Sequence, residues 1–558
     1  TATQKENGGK KFMRKKRLVA LATVAALLAA SITGCSSSKS SEETTAANGS
    51  SGETQTAAPA EPASYPLDTD ETLTYWGELN VNIASNYTSM EDTPLGQAWQ
   101  EATGVDIEFQ HPAIGQVSEQ FNLLMSKQTL PDMIEYSWIT YPGGPSKAID
   151  DGVIIPLNDI IDQYCPNLKA YLEANPEIDR MVKTDDGTYY CFPFIRGDES
   201  LLCNTGPMIR QDWLDDLGLE VPTTVDEWYE ALKAFKEEKG ATAPFTYQYS
   251  SKGLTDYNPF AGAFGAIRDF FLDEDGKVIY GAVQEGYKNY LMEMNKWMEE
   301  GLIDPDLATL TSDQVSAKIT NGSAGASFGW AGSNMGTWIA SGQSTDPNYN
   351  LVPTPYPTLK EGETPKFGRR ENNYPGAGSV VITTSCENVE LAARFLDYGY
   401  SEEGHMMFNF GIEGESYNMV DGKPVYTDMI LHNEDGLSIT ATLGGYTRAN
   451  TSGPFVQDKE YITQYYSYPA QAATLDLWSA TDAKNYVLPP ITPTVDESKE
   501  LAQIMNEIAT YRDEMTLKFI LGTESFDNWD TYVSTIESMG LDRALEIENA
   551  ALDRYNAR

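Results

Sequence analysis

Histidine is almost missing from this 558-residue chain, which holds three: His111, His405 and His432. A histidine-based metal centre or catalytic triad is poorly supplied by so few, and each reads as a surface or satisfied core residue. Cysteine is nearly as scarce. There are five, with no C-x-x-C pair, whereas zinc sites need close pairs of soft ligands. No metal and no cofactor is expected. Positive charge is also short, with 39 Lys and Arg against 82 Asp and Glu and a net charge of −43. Such a surface repels phosphate backbones and anionic lipid, which excludes nucleic acid as a partner. The chain has no G-x-S-x-G, no H-E-x-x-H and no phosphate loop. It shows no internal repeat. No apolar run reaches the roughly 20 residues needed to span a bilayer.

The longest such run, Leu18–Ile32, follows Arg14, Lys15, Lys16 and Arg17 and ends in small residues. Basic, apolar and small-residue regions in that order form an export signal rather than a structural element. It closes on I-T-G-C, which resembles the lipobox of bacterial lipoproteins, and that resemblance implies that Cys35 is acylated and becomes the mature N-terminus. Residues 1–12 add nothing to export and read as leader before a start at Met13, with 13–34 as the signal peptide. Residues 35–65 are almost all Ser, Thr, Ala, Gly, Glu and Pro, too polar to collapse. A coil of that length spans roughly 30 Å, so lipid at Cys35 and this tether would hold a folded body clear of the cell membrane, on its extracellular face. Cys165, Cys191, Cys203 and Cys386 could pair outside the cell, with the connectivity open.

The body begins with a strand at Thr72–Trp76. A helical face of Leu95, Trp99 and Ala102 ends at Gly104. V-D-I-E-F-Q at 105–110 alternates as a strand does, and Val117, Phe121 and Leu124 mark the next helix. P-D-M-I-E-Y at 131–136 is a third strand. Strand–helix–strand–helix–strand spacing signals a parallel sheet in an α/β fold, with ligands bound outside the carboxyl ends of the strands. Farther on, Thr224 with Glu227 and Thr494 with Glu497 have capping-box spacing ahead of helices. S-A-G-A-S-F-G-W at 323–330 and S-V-V-I-T-T at 379–384 read as further strands. D-E-D-G-K at 273–277 and T-D-D-G-T at 184–188 lack calcium-loop spacing and read as hairpin turns.

Several segments resemble, in order, the family-1 extracellular solute-binding proteins of bacterial ABC importers. They include L-P-D-M-I-E-Y, D-G-V-I-I-P-L, I-R-Q-D-W-L-D-D-L-G-L-E-V-P-T-T-V-D-E-W, N-K-W-M-E-E-G-L-I-D-P-D, A-A-R-F-L-D-Y-G-Y-S-E-E-G, F-G-I-E-G-E-S-Y and D-N-W-D-T-Y-V. The resemblance implies a two-lobed periplasmic-binding-protein-like fold with a hinge and an interlobe cleft. It places residues 66–200 plus 376–445 in lobe 1 and 201–375 plus 446–558 in lobe 2. Crossings would lie near Ser200–Asn204, near Tyr374–Ser379 and around 440–450. It further implies a monomer that captures a carbohydrate, an oligosaccharide by the size of the chain, and delivers it to ABC permease subunits in trans.

A sugar binder offers flat rings to C–H faces and amides, carboxylates or Arg to hydroxyl edges. Of the ten tryptophans, Trp99, Trp228 and Trp297 lie in amphipathic helical patterns and belong to the core. Trp213 and Trp529 read as structural. Trp76, Trp138, Trp330 and Trp338 stand at strand ends or in Gly/Ser-rich loops, where a ring can face the cleft. Trp330 leads, since a small-residue strand running into tryptophan is similar to the segment that supplies a stacking ring in maltose-binding protein. Tyr136 is a second ring. Glu78, Asn80, Arg196 and Asn334 are candidates for the edges. No catalytic residue is expected. The competing readings are a surface glycoside hydrolase, which needs two carboxylates about 5–9.5 Å apart, and a glycan-binding adhesin or sensor.

Overall fold

The structure is a computed structural model, and it describes residues 64–250 and 258–558. The leader, the signal peptide, Cys35 and all but the end of the tether lie outside the described residues.

The strands gather into two four-stranded sheets. In the first, Thr72–Trp76 lies between Asp106–Gln110 and Met133–Tyr136, parallel to both. Ser379–Ile382 closes the other edge antiparallel to Met133–Tyr136. The expected βαβ block is therefore present, with one late strand added from more than 200 residues away. Its first helix, Pro94–Thr103, is capped by the Thr93 hydroxyl and stops at Gly104, whose φ of 76° is left-handed. That conformation costs glycine little. Trp99 from this helix is fully buried and stacks on Phe395 at 4.3 Å between ring centres.

The second sheet runs Leu351–Pro353, Thr205–Arg210, Ala326–Trp330, Phe245–Thr246. The first two pairings are antiparallel and the third parallel. Helices Val225–Glu237 and Val495–Ile520 both open with the expected capping boxes, from Thr224 with Glu227 and Thr494 with Glu497. Trp228 and Trp297 are fully enclosed under this sheet, and Trp213 and Trp529 are buried nearby. The hairpin reading of 273–277 holds: Phe270–Leu272 pairs with Val278–Tyr280. The Asp273 carboxylate accepts from the backbone N–H of Asp275 and Lys277, both at 2.9 Å. Residues 184–188 also turn back, with a bridge between Lys183 and Tyr189.

Each sheet has its own hydrophobic cluster. Leu73 to Ile195, Tyr374 to Phe408, and Phe455 pack around the first sheet. Leu201 to Tyr356, Phe410 to Ala449, and Tyr461 onward pack around the second. The chain thus changes cluster between Ile195 and Leu201, between Tyr356 and Tyr374, between Phe408 and Phe410, and on either side of Phe455. At the third of these, Phe410 packs against Tyr417 and Tyr426 of the hairpin Tyr417–Val420/Lys423–Tyr426. Cys165, Cys191, Cys203 and Cys386 are all buried free thiols. Burial pushes the Cys191 and Cys386 thiols up to about 12, so neither is a nucleophile at neutral pH. Among the described residues, no helix is long and apolar enough to cross a membrane.

Candidate functional site

Where the chain passes between clusters, its side chains enclose a cavity of about 450 Å³, within the 300–1,000 Å³ typical of ligand sites. Phe194 and Arg196 come from the start of the first passage, and Arg369, Arg370 and Glu371 from the second. Thr451 and Ser452 come from the segment before Phe455. An apolar wall is added by Phe271, Phe367 and Tyr486, part of a small separate cluster with Ile267 and Ile279.

The short strand Ile195–Arg196 pairs in parallel with Val456–Gln457, which fixes Arg196 at the rim of the first half. One Nη donates to Gln457 Oε1 at 3.1 Å. The other lies 2.6 Å from Glu371 Oε2, an ion pair short of hydrogen-bond alignment. Among the described residues, Arg196 Nε has no hydrogen-bond partner. Glu371 is shared, because its Oε1 accepts from Arg369 Nη2 at 3.1 Å. Arg369 also donates to the Thr205 hydroxyl at 2.7 Å, and its guanidinium lies 5.4 Å from the Trp330 ring centre. Arg370 points to the exposed Glu199.

Trp330 ends the strand Ala326–Trp330 and is half-buried. Its backbone N–H donates to Asn334 Oδ1 at 3.0 Å, so Asn334 holds the turn after the strand. The structure therefore brings Arg196, Trp330 and Asn334 to one region through Arg369 and Glu371. Trp76, Tyr136 and Trp138 gather elsewhere, around Phe121 at the carboxyl end of the first sheet. Tyr136 stacks on Phe121 at 3.7 Å, with Trp138 edge-on at 5.4 Å and Trp76 tilted at 6.2 Å from the Phe121 ring. Tyr136 is half-buried, whereas Trp76 is 6% exposed and Trp138 fully enclosed.

The expectation that Trp138 and Trp338 face the cleft is corrected by their burial. Each indole N–H is satisfied internally: Trp138 donates to the Ile134 carbonyl at 3.2 Å, and Trp338 to the Ser316 hydroxyl at 2.9 Å. An indole with its polar edge satisfied inside the fold is stable as core. Glu78 is exposed after the first strand. Asn80 caps the short helix Val81–Ala84, accepting from the Asn82 N–H at 2.9 Å.

Sequence reasoning missed a buried polar group that joins the two regions. Glu135, on strand Met133–Tyr136, receives Tyr75 Oη at 2.6 Å, Arg448 Nη2 at 2.6 Å and Ser452 Oγ at 3.1 Å. Ser452 in turn lines the cavity. The facing Gly378 has a left-handed φ of 63°, and a Cβ there would fall 2.1 Å from the Ser452 Cβ. Glycine is required on both counts. Sequence signals existed for part of this site. R-R-E-N-N at 369–373 is a dense polar run beside the Y-P-G-A-G crossing, in a chain otherwise short of Arg and Lys.

Among the described residues, no group of three or more His, Cys, Asp or Glu is placed to hold a metal ion. His111 is committed, with Nε2 accepting from the Met90 N–H at 3.1 Å and Nδ1 donating to the Gly77 carbonyl at 2.8 Å. His405 pairs with Asp458.

Two sheet-cored halves joined by several chain passages, with a polar and aromatic cavity among those passages, define a two-lobed α/β binding protein. The chain belongs to the bacterial extracellular solute-binding proteins, whose family model matches residues 87–406. It is 27% identical over 524 residues to the fructooligosaccharide ABC transporter substrate-binding protein FusA of Streptococcus pneumoniae, covering 89% of this chain and 93% of that protein. It is 24% identical over 460 residues to the polygalacturonan/rhamnogalacturonan-binding protein YtcQ of Bacillus subtilis, with 78% and 83% covered. Its fold matches the alginate-binding protein AlgQ2 without calcium ion, with a TM-score of 0.70 and 25% identity over 88% of this chain and all of that one. An extracellular solute-binding protein from Bifidobacterium longum subsp. infantis shares the fold at a TM-score of 0.70 and 19% identity, over 87% and 98% of the two chains.

Proposed function

We propose that this protein is the substrate-capturing subunit of an ABC importer for oligosaccharides, leashed to the outer face of the cell membrane by lipid on Cys35. The observation that carries the reading is the cavity at the chain passages. Its lining combines rings (Phe194, Phe271, Phe367, Tyr486) with guanidinium, carboxylate and amide groups, which match the two chemistries a sugar presents. The relatives support the class of cargo, since FusA is named for fructooligosaccharides and YtcQ for polygalacturonan and rhamnogalacturonan. Transport requires permease subunits in trans.

The lobes follow the two hydrophobic clusters. In this assignment lobe 1 holds residues 66–200, the 376–408 stretch and the turn at Phe455, while 410–449 travels with lobe 2. Segments that cross between lobes also line the cavity, so a hinge motion would open and close it.

Binding without turnover is part of the proposal. Among the described residues, Glu371 is the one carboxylate lining the cavity, and glycoside hydrolysis works with two. A thermal-shift screen over a glycan panel tests the reading, because a ligand at 100 times its dissociation constant adds about 2.7 kcal/mol of stability. Saturable stabilisation by an oligosaccharide that stays intact on prolonged incubation is expected. Cleavage products, or stabilisation by no glycan, would overturn it.

A further inference from the structure

Charge in the cavity runs opposite to charge in the chain. The chain has 82 acidic and 39 basic residues, yet the cavity wall carries Arg196, Arg369 and Arg370 against Glu371 alone. Glu371 is divided between Arg196 and Arg369. Arg370 is paired away from the cavity, with Glu199, whose side chain is 71% exposed while that of Arg370 is 11% exposed, and it lies beside the Cys203 thiol. The Glu199 end of this pair is solvated and screened, so a carboxylate entering the cavity can compete with it for Arg370. Among the described residues, Arg196 Nε has no acceptor. The wall thus keeps an excess of guanidinium charge together with unspent donors.

Neutral hydroxyls do not call for that excess, since one arginine and one carboxylate suffice to donate to and accept from them. Resting on the oligosaccharide reading above, we infer that the cargo carries carboxylate groups: an acidic oligosaccharide built of uronate-type rings. A planar carboxylate matches the guanidinium fork in two parallel hydrogen bonds. Arg370, released from Glu199, and Arg369, steadied by Trp330 and Thr205, are the residues that receive it. Phe271 and Tyr486, which also line the cavity, take the C–H face of a ring. The overall negative charge does not forbid such a ligand. At physiological ionic strength the Debye length is about 8 Å, so charges on the outer surface are screened while those in the cavity act at contact.

The test is isothermal titration of the full chain against matched trisaccharides, each a uronate oligomer and its carboxyl-reduced neutral counterpart. Galacturonate, mannuronate/guluronate and glucuronate types should all be included. Binding at least tenfold tighter to one acidic member than to its neutral twin is expected, with the preference shrinking as NaCl rises from 50 to 500 mM. Arg370→Gln should cut the acidic affinity tenfold or more at an unchanged melting temperature, and Arg370→Lys should recover only part of it, having charge without the fork. A neutral twin that binds as tightly as the acid overturns this inference and leaves the oligosaccharide reading standing. Silence across every pair and across neutral glycans overturns both. A sulfated oligomer binding in place of the carboxylate also overturns it, because tetrahedral rather than planar groups would then be the target.

Discussion

The Glu135–Arg448 pair allows a sharp test of how the two halves are tied at the cavity. Both side chains are buried, at 8% exposure for Glu135 and 6% for Arg448. Glu135 has three donors around it, from Tyr75, Arg448 and Ser452. Among the described residues, Arg448 pairs with this one carboxylate, and its Nε has no hydrogen-bond partner. Removing one member of a buried ion pair costs about 3–5 kcal/mol, because a charge is left without compensation. The surroundings make the two deletions unequal. Arg448→Met leaves Glu135 two hydroxyl donors and should fall near 3 kcal/mol. Glu135→Leu strands the guanidinium and also the Tyr75 hydroxyl, and a buried unpaired hydroxyl adds roughly 1–3 kcal/mol, so it should reach 5 kcal/mol or more. The double variant removes both charges and should be more stable than Glu135→Leu alone. Urea unfolding followed by tryptophan fluorescence and by circular dichroism gives the values, and agreement of the two probes checks whether the halves unfold together. The double variant should still lose ligand binding, since Ser452 would no longer be held against Glu135. A cost below about 1 kcal/mol for Glu135→Leu would refute the reasoning, as it would mean that the pair is hydrated rather than buried.

Three further outcomes are expected. Glu548 is buried and lies near Asp269, and burial first, then that like charge, pushes its carboxyl up to about 7. The unfolded chain therefore releases this proton at lower pH than the native one, so native stability falls as pH climbs from about 4.5 to 7. Glu548→Gln should match the parent at pH 4 and exceed it by up to about 3 kcal/mol above pH 7; equal melting temperatures at both pH values would contradict this. Gly206→Ala places a Cβ 2.3 Å from the enclosed Trp478 ring, and overpacking of this kind costs about 1–3 kcal/mol, to be read from a lowered urea midpoint at unchanged slope. Trp330→Ala removes the ring beneath Arg369 and should weaken glycan binding about tenfold or more, the loss of about 1.4 kcal/mol of ring and cation–π contact. Calorimetry showing unchanged affinity would remove Trp330 from the site.

What could be read from the sequence was local and periodic. The strand at 106–110 follows from alternation, those at 72–76 and 133–136 from short apolar runs, and the two capping boxes from Thr and Glu three residues apart. Gly104 ends its helix as a left-handed residue. What could not be read was non-local. Trp138 at a strand end and Trp330 at a strand end look alike in one dimension. The first finds an internal acceptor and is sealed in the core, while the second lies beside a guanidinium and stays half-open. No periodicity separates the two cases, because the difference is made by partners from other segments. The same holds for Arg369 and Glu371, which matter through Arg196, more than 170 positions earlier.

That distance in sequence is itself informative about mechanism. The cavity is built from residues near 196, 369–371 and 451–452, the places where the backbone leaves one hydrophobic cluster for the other. Several residues at these crossings are buried, among them Ile195, Leu201, Tyr374 and Phe455, so a hinge there would have to turn about packed segments. On our proposal a ligand held by Arg370, Phe271 and Tyr486 sits on lobe 2, and reaching Arg196 of lobe 1 as well would favour the closed arrangement. It shifts the population toward closure only by its differential affinity for the two arrangements. The same arginines would then serve recognition and closure together, and Arg370→Gln should reduce ligand-induced compaction in small-angle scattering in proportion to its loss of affinity. Full compaction with weakened affinity would separate the two roles and place the closing force elsewhere.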